Sequence, residues 1–168
     1  PVRYSLEPAY ILHTRNYRES SLILEAFSRE QGRAALVARG ARGAKSKWKN
    51  MLQPFRPLLL SWSQRGEMGT LTGADQVASP PLAGESLFCG IYANELMMRF
   101  LQRSDPHPVL FDRYRDLLGF LAAGERGDWA AAEAMARARG DIVLQDIVLW
   151  RKLRARAGNV AEYKYCVA

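Results

Sequence analysis

The sequence predicts an α+β protein, in which a small five-stranded β-barrel or sandwich is followed by an all-helical part. Three observations carry this. Five short runs rich in Ile, Leu, Val, Tyr and Phe fall within residues 9–74, separated by turn-forming residues. A proline-containing break, "ASPPLAGES" (78–86), then ends that pattern. From Leu87 onward the apolar residues recur at helical spacing. Strands followed by helices, rather than alternating with them, argue against a parallel α/β sheet.

Taken in order, "AYILHTRNY" (9–17) and "SLILEAF" (21–27) are the first two expected strands, joined by the polar link "RES". "AALVARG" (34–40) follows "REQGR", where Gly32 can supply the positive φ of a tight turn. "FRPLLLSW" (55–62) and "GTLTGA" (69–74) flank a second glycine-containing turn, "SQRGEM". The link between the third and fourth strands is long and basic. Its "KSKWKNMLQ" is expected to form a short helix before Pro54.

Beyond the break, Leu87, Phe88, Ile91, Tyr92, Leu96, Met98 and Leu101 fit a buried amphipathic helix, with Cys89 on its apolar side. "SDPHP" stops it, and Pro108 suits the first residue of the next helix. There Leu110, Tyr114, Leu117, Leu118 and Leu121 form a stripe facing the core. "WAAAEAMARAR" (129–139) is alanine-rich and ends at Gly140; residues 141–158 read as a last helix with a basic exit. Two domains are therefore expected, 1–80 and 81–168, and no internal repeat is visible.

The chain has 168 residues, enough to bury a core, and its 48% apolar content suits a globular protein. No apolar run reaches 18 residues, so no membrane span is expected, and no secretory leader opens the sequence. With Pro1 in place of a Met, it reads as a processed or partial chain. Two cysteines, Cys89 and Cys166, make neither a disulfide framework nor a zinc knuckle, and suggest a reducing compartment.

The net charge of +7 is uneven. Residues 1–80 hold twelve Lys/Arg against six Asp/Glu, and 81–168 hold twelve against eleven. Between Glu30 and Glu67 there is no acid at all, but Arg33, Arg39, Arg42, Lys45, Lys47, Lys49, Arg56 and Arg65 are all cationic. Such a half-chain calls for an anionic partner. The bland reading of Arg39 to Lys49 is a solvated loop. Against it, the loop is long and lies within a small strand-rich module, and its glycines let backbone N–H groups approach phosphates. Trp48 sits between two lysines, either as a plug closing the barrel or as a platform for an unpaired base. Arg15 and Arg18, at the end of the first strand, would extend the track.

Catalytic chemistry finds no support. His13 and His107 are the only histidines and lack ligand-like neighbours, and no HExxH, GxSxG or CxxC occurs. "GARGAKS" is not a phosphate loop, because Ala44 precedes the lysine and the glycines are too close. No catalytic residue, metal site or cofactor is expected.

The pattern "LH.R.Y.E.S" (Leu12 to Ser21), "F.RE.G" (Phe27 to Gly32), "VARGAR..KS" (Val37 to Ser46) and "LQPF.PL...W" (Leu52 to Trp62) resembles the N-terminal domain of the RecO family of bacterial DNA repair proteins. The likeness continues through "LFCGIYANELMMRFLQRSDPHPVLFDRY", covering roughly residues 9–124. It implies an oligonucleotide/oligosaccharide-binding (OB-type) barrel followed by a helical domain. It also implies a non-enzymatic recombination mediator that binds single- and double-stranded DNA and anneals complementary strands. With RecR, such a protein helps load RecA onto strands coated by single-strand-binding protein, in the bacterial cytoplasm and at the nucleoid. Many members carry a four-cysteine zinc site in the C-terminal region. With Cys166 alone there, this chain does not, and its residues after Asp128 depart from the family pattern.

DNA-binding residues are thus expected at Arg39, Arg42, Lys45, Lys47, Trp48 and Lys49, extended by Arg15 and Arg18. Arg99, Arg103, Arg113 and Arg115 lie near the helical stripes. An apolar groove rimmed by them would grip an acidic peptide ending in a free carboxylate, for which the resemblance supplies the tail of single-strand-binding protein. Two other readings are a basic adaptor for an acidic partner tail and an RNA-binding barrel.

Overall fold

The computed structural model describes residues 1–48, 50–138, 140, 145, 148, 149 and 152. Five strands close into a barrel: β1 (Val2–Tyr17), β2 (Ser21–Ser28), β3 (Gly32–Ala38), β4 (Leu58–Arg65) and β5 (Met68–Gln76), in the order β1-β2-β3-β5-β4. The β3–β5 pair is parallel and the others antiparallel. Among the described residues three helices with defined bounds follow, α1 (Gly84–Phe100), α2 (Pro108–Glu125) and α3 (Trp129–Ala138). The expected α+β class, with a five-stranded barrel of OB type followed by helices, is the one observed.

The first strand begins seven residues before its expected start. Its outer half, Val2 to Ala9, pairs with β4 and its inner half with β2. That outer half is polar and irregular, with a register shift between Tyr4 and Glu7 and Leu6 at φ 52, so no clean alternation marks it. β2 is buried on both sides. Leu24 and Ala26 face the barrel interior, and Phe27 faces the helices.

The short helix expected before Pro54 is absent. Residues 39–52, apart from Lys49, which lies outside the described residues, form successive turns. Hydrogen bonds run from Gly43 N to Gly40 O (3.1 Å), Ser46 N to Gly43 O (3.0 Å) and Met51 N to Trp48 O (3.0 Å). Gly40 and Asn50 both have positive φ, which interrupts helical winding.

The interior of α1 also differs from expectation. The buried residues of this helix are Ser86, Gly90 and Asn94, spaced one turn apart. Small and polar groups let it approach closely: Gly90 sits against the Phe55 ring, Ser86 Oγ donates to Leu121 O (3.0 Å), and Asn94 Nδ2 donates to Leu12 O (3.1 Å). Of the apolar residues expected in the core, Leu87, Phe88 (74% exposed), Ile91, Tyr92 (65%) and Leu96 point outward instead, whereas Leu101 is buried and Met98 packs against the same cluster, as expected. Cys89, expected on the buried side, is exposed as well. Periodicity identified the helix, but the buried face was chosen by close approach and hydrogen bonding.

α2 starts at Pro108 as expected, and Tyr114, Leu118 and Leu121 are buried as expected, whereas Leu110 is exposed. Gly140, at φ 61, follows α3. The expected last helix, 141–158, lies largely outside the described residues, as does Cys166; Val148 is buried with Ala132 and Ala136.

Barrel and helices share a core. Tyr10 and Phe27 of the barrel meet Phe111 and Tyr114 of α2 at ring distances of 5.1–6.4 Å. Beside this cluster Glu25, 7% exposed in β2, accepts from Arg33 Nε (2.9 Å) and from an Arg103 guanidinium nitrogen (2.7 Å). Arg33 also donates to the carbonyls of Met98 (2.7 Å) and Leu101 (3.1 Å), groups that the end of α1 leaves without helical partners.

Candidate nucleic-acid interface

The basic connection is anchored by its apolar residues. Ala41, Trp48 and Leu52 insert into the barrel core. With these pinned, the intervening cations Arg42, Lys45 and Lys47 are left exposed, as is Arg39 at the start. The segment is tied to the β1–β2 turn: Arg42 N donates to Ser20 O (2.8 Å), its guanidinium to Arg18 O (3.3 Å), and Gly40 N to Ser21 Oγ (3.4 Å). Arg18, at φ 51, stacks over the Tyr17 ring at 5.1 Å. Arg15 is exposed three residues before Arg18, on β1.

Arg15, Arg18, Arg39, Arg42, Lys45 and Lys47 therefore project from two adjoining segments at one end of the barrel. Among the described residues none of the six makes an ion pair with a carboxylate, although Glu19 lies exposed in the same turn. Of the other cations of the acid-free stretch, Arg33 is consumed in the seam described above and Arg56 donates to Asn50 O (2.9 Å), while Arg65 is exposed at the end of β4, on neither of the two segments.

The structure corrects the stacking reading of Trp48. This side chain is 7% exposed and packs with Leu52, Leu60 and their neighbours in the barrel interior. Its remaining surface is covered in part by the Lys47 ammonium, 4.2 Å from the ring centre. A buried indole offers no open face to a base. Of the two readings the sequence allowed, the plug is the one realised.

The four helix arginines do not form one free rim. Arg103 is bound to Glu25, Arg99 to Glu95 (2.6 Å), and Arg115 lies 3.4 Å from Asp112, which also accepts from Arg29 of the barrel. Arg113 is exposed and makes no ion pair among the described residues. His13 is exposed on β1, and His107 precedes α2 with Nε2 3.0 Å from Asp105. Among the described residues no cluster of three His, Cys, Asp or Glu could hold a metal, and no helix is long and apolar enough to cross a membrane.

The family model described as "Recombination protein O N terminal" matches residues 3–80, which take in all of the barrel but Val2. Residues 3–80 are a RecO N-terminal domain. The DNA repair protein RecO of Burkholderia pseudomallei (strain 1710b) is 50% identical over 124 residues, 73% of this chain and 45% of that protein. RecO of Ralstonia nicotianae (strain ATCC BAA-1114 / GMI1000) is 52% identical over 124 residues, 73% of this chain and 46% of its own length. For RecO of Dechloromonas aromatica (strain RCB) the figures are 46% over 142 residues, 84% and 58%. The chain thus spans about half the length of the curated RecO relatives it matches.

Sequence reasoning missed the Glu25–Arg33–Arg103 seam. A signal existed: Glu25 is the one acid inside an otherwise apolar strand, a placement that requires a cationic partner.

Proposed function

We propose that this chain binds DNA through the cations at the barrel end and serves, without catalysis, as the DNA-binding part of a recombination mediator. The carrying observation is the set of six exposed cations, without carboxylate partners among the described residues, on two hydrogen-bonded segments beside a barrel of RecO type. Phosphates would displace the counterions held there. Annealing of complementary strands, cooperation with RecR and loading of RecA on strands coated by single-strand-binding protein are the finer part of the reading. They rest on the family, as does a place in the bacterial cytoplasm at the nucleoid. Lys49 belongs to the proposed set by sequence alone. For the tail of single-strand-binding protein, Arg113 is the helix arginine best supported as a contact, the other three being already paired.

The test is the salt dependence of oligonucleotide binding. If about five phosphates of a single strand are neutralised, log K falls against log salt with a slope near −3.5, and affinity drops on the order of 100-fold between 50 and 200 mM salt. Arg39→Ala and Arg42→Ala should each shallow the slope by about 0.7. A slope near zero would rule the electrostatic reading out and favour a protein adaptor.

A further inference from the structure

A cleft of about 580 Å³ opens between β1, residues 53–56 and α1; none of the six cations lines it, but β1 bears Arg15 and leads into Arg18. Its walls are largely apolar, with Phe55, Leu87 and Ile91 among them, and its rim is polar, with His13, Gln53 and Arg56. The wall at Phe55 is fixed. This residue has φ 67, a backbone state that a bulky side chain adopts only when its surroundings hold it there. What holds it is α1: a Cβ on Gly90 would come within 2.9 Å of the Phe55 ring, so the glycine is the seat on which the ring rests.

The cleft and the cation track are continuous along β1. His13 and Arg15 alternate to the same side, about 7 Å apart at the usual rise of a strand, and both are exposed. Arg56, at the other edge, is held by Asn50 O (2.9 Å) and Gln76 Oε1 (3.4 Å). The one acid in the lining, Glu95, is neutralised by Arg99 at 2.6 Å, so nothing there repels a phosphate. An unpaired nucleobase has apolar faces and polar edges, and it arrives on an anionic backbone. Apolar walls, a polar rim and flanking arginines match that combination. An apolar side chain of a protein partner would match the walls but makes no use of the arginines.

We propose that this cleft receives one unstacked base of a single strand whose phosphates run over Arg15, Arg18 and Arg42. The proposal rests on the basic-track reading and adds to it a reason to prefer single strands, since a base paired and stacked in a duplex cannot enter.

The experiment measures binding of the full chain to an oligo-dT strand and to an abasic strand of equal length, at one salt concentration. The wild-type chain should hold the dT strand on the order of 10-fold more tightly. Ile91→Trp, at a position 50% exposed on the cleft wall, fills the space at little risk to folding. It should bring dT affinity down to the abasic value while leaving abasic binding and the melting temperature unchanged. Because a new indole could itself stack on bases, a second readout accompanies it. A 5-iodouracil strand, irradiated on the wild-type chain, should crosslink to His13 or to the 53–56 peptide. An unchanged dT-to-abasic ratio in the variant, together with crosslinks elsewhere, would overturn the cleft and leave the basic track standing. Failure of the wild-type chain to bind either strand in a salt-dependent way would overturn both.

Discussion

Two aromatic residues set the limits of what a single position reveals. Trp48 was conspicuous in the sequence because it lies between lysines, but its neighbours along the chain are not its neighbours in space. Ala41 and Leu52, buried beside it, show that the connection dips into the barrel twice. Trp48→Ala should therefore cost about 3–5 kcal/mol, read as a fall in melting temperature, and weaken single-strand and duplex binding alike. Lys47→Ala should leave stability within about 0.5 kcal/mol and weaken binding only. Tyr114 makes the complementary case: its burial was legible from the helical stripe, its hydrogen bonding was not. Its hydroxyl donates to Asn94 Oδ1, whose amide in turn donates to Leu12 O. Burial pushes the Tyr114 hydroxyl well above the usual tyrosine range, helped by nearby Tyr10 and opposed by the Asn94 bond. The folded state thus holds its proton longer than the unfolded chain, so the stability tied to Tyr114 is complete below about pH 10 and is lost as pH rises beyond that. Tyr114→Phe should remove that share of the alkaline loss and, by stranding Asn94 Oδ1, cost about 1–3 kcal/mol at neutral pH. Denaturant melts at pH 7 and pH 11 would check both.

At the scale of elements, the strands were legible because runs rich in aliphatic and aromatic residues are bounded by turn-forming residues, and the helices because apolar residues recur every three to four positions. Which face of α1 is inside was not legible, because the rule that apolar faces go inward ignores how near two backbones can come. Ser86, Gly90 and Asn94 permit a close approach that Phe88 and Tyr92 would forbid. Phe88→Ser should accordingly change stability by less than about 0.5 kcal/mol, where a core phenylalanine would cost several times more. The join between β2 and the end of α1 is the opposite kind of contact. Glu25 is a nearly buried carboxylate with two arginine partners, and Arg33 caps two carbonyls of α1 from the barrel side. Removing the acid leaves Arg33, only 15% exposed, without its counter-charge. Glu25→Ala should cost about 3–5 kcal/mol in a urea melt. A cost below 1 kcal/mol would mean that the arginines find water as readily as they found the carboxylate.

For the whole molecule, the charge split and the break at residues 78–86 suggest two independent units, yet the packing joins them. Tyr10, Leu12 and Phe27 from the barrel and Leu101, Phe111, Tyr114 and Leu118 from the helical part form one buried cluster, and the Glu25 and Asn94 contacts cross the same boundary. Neither side keeps its inner face out of water without the other: β2 would expose Phe27, and α2 would expose Phe111 and Tyr114. The basic end of the barrel and the cleft beside α1 are consequently held on one rigid frame, which is what a strand contacting both would require. The expected outcome is a single cooperative transition in urea, followed in a chain carrying Trp129→Phe and Trp150→Phe so that Trp48 and Trp62 of the barrel give the fluorescence, with that fluorescence and helical circular dichroism falling together. Phe111→Ala, removing a ring that touches both Tyr10 and Phe27, should lower the midpoint of both signals by the same amount, equivalent to about 3–5 kcal/mol. Helical signal lost at a lower urea concentration than the fluorescence change would show that the barrel stands alone, with the helices as a docked appendage.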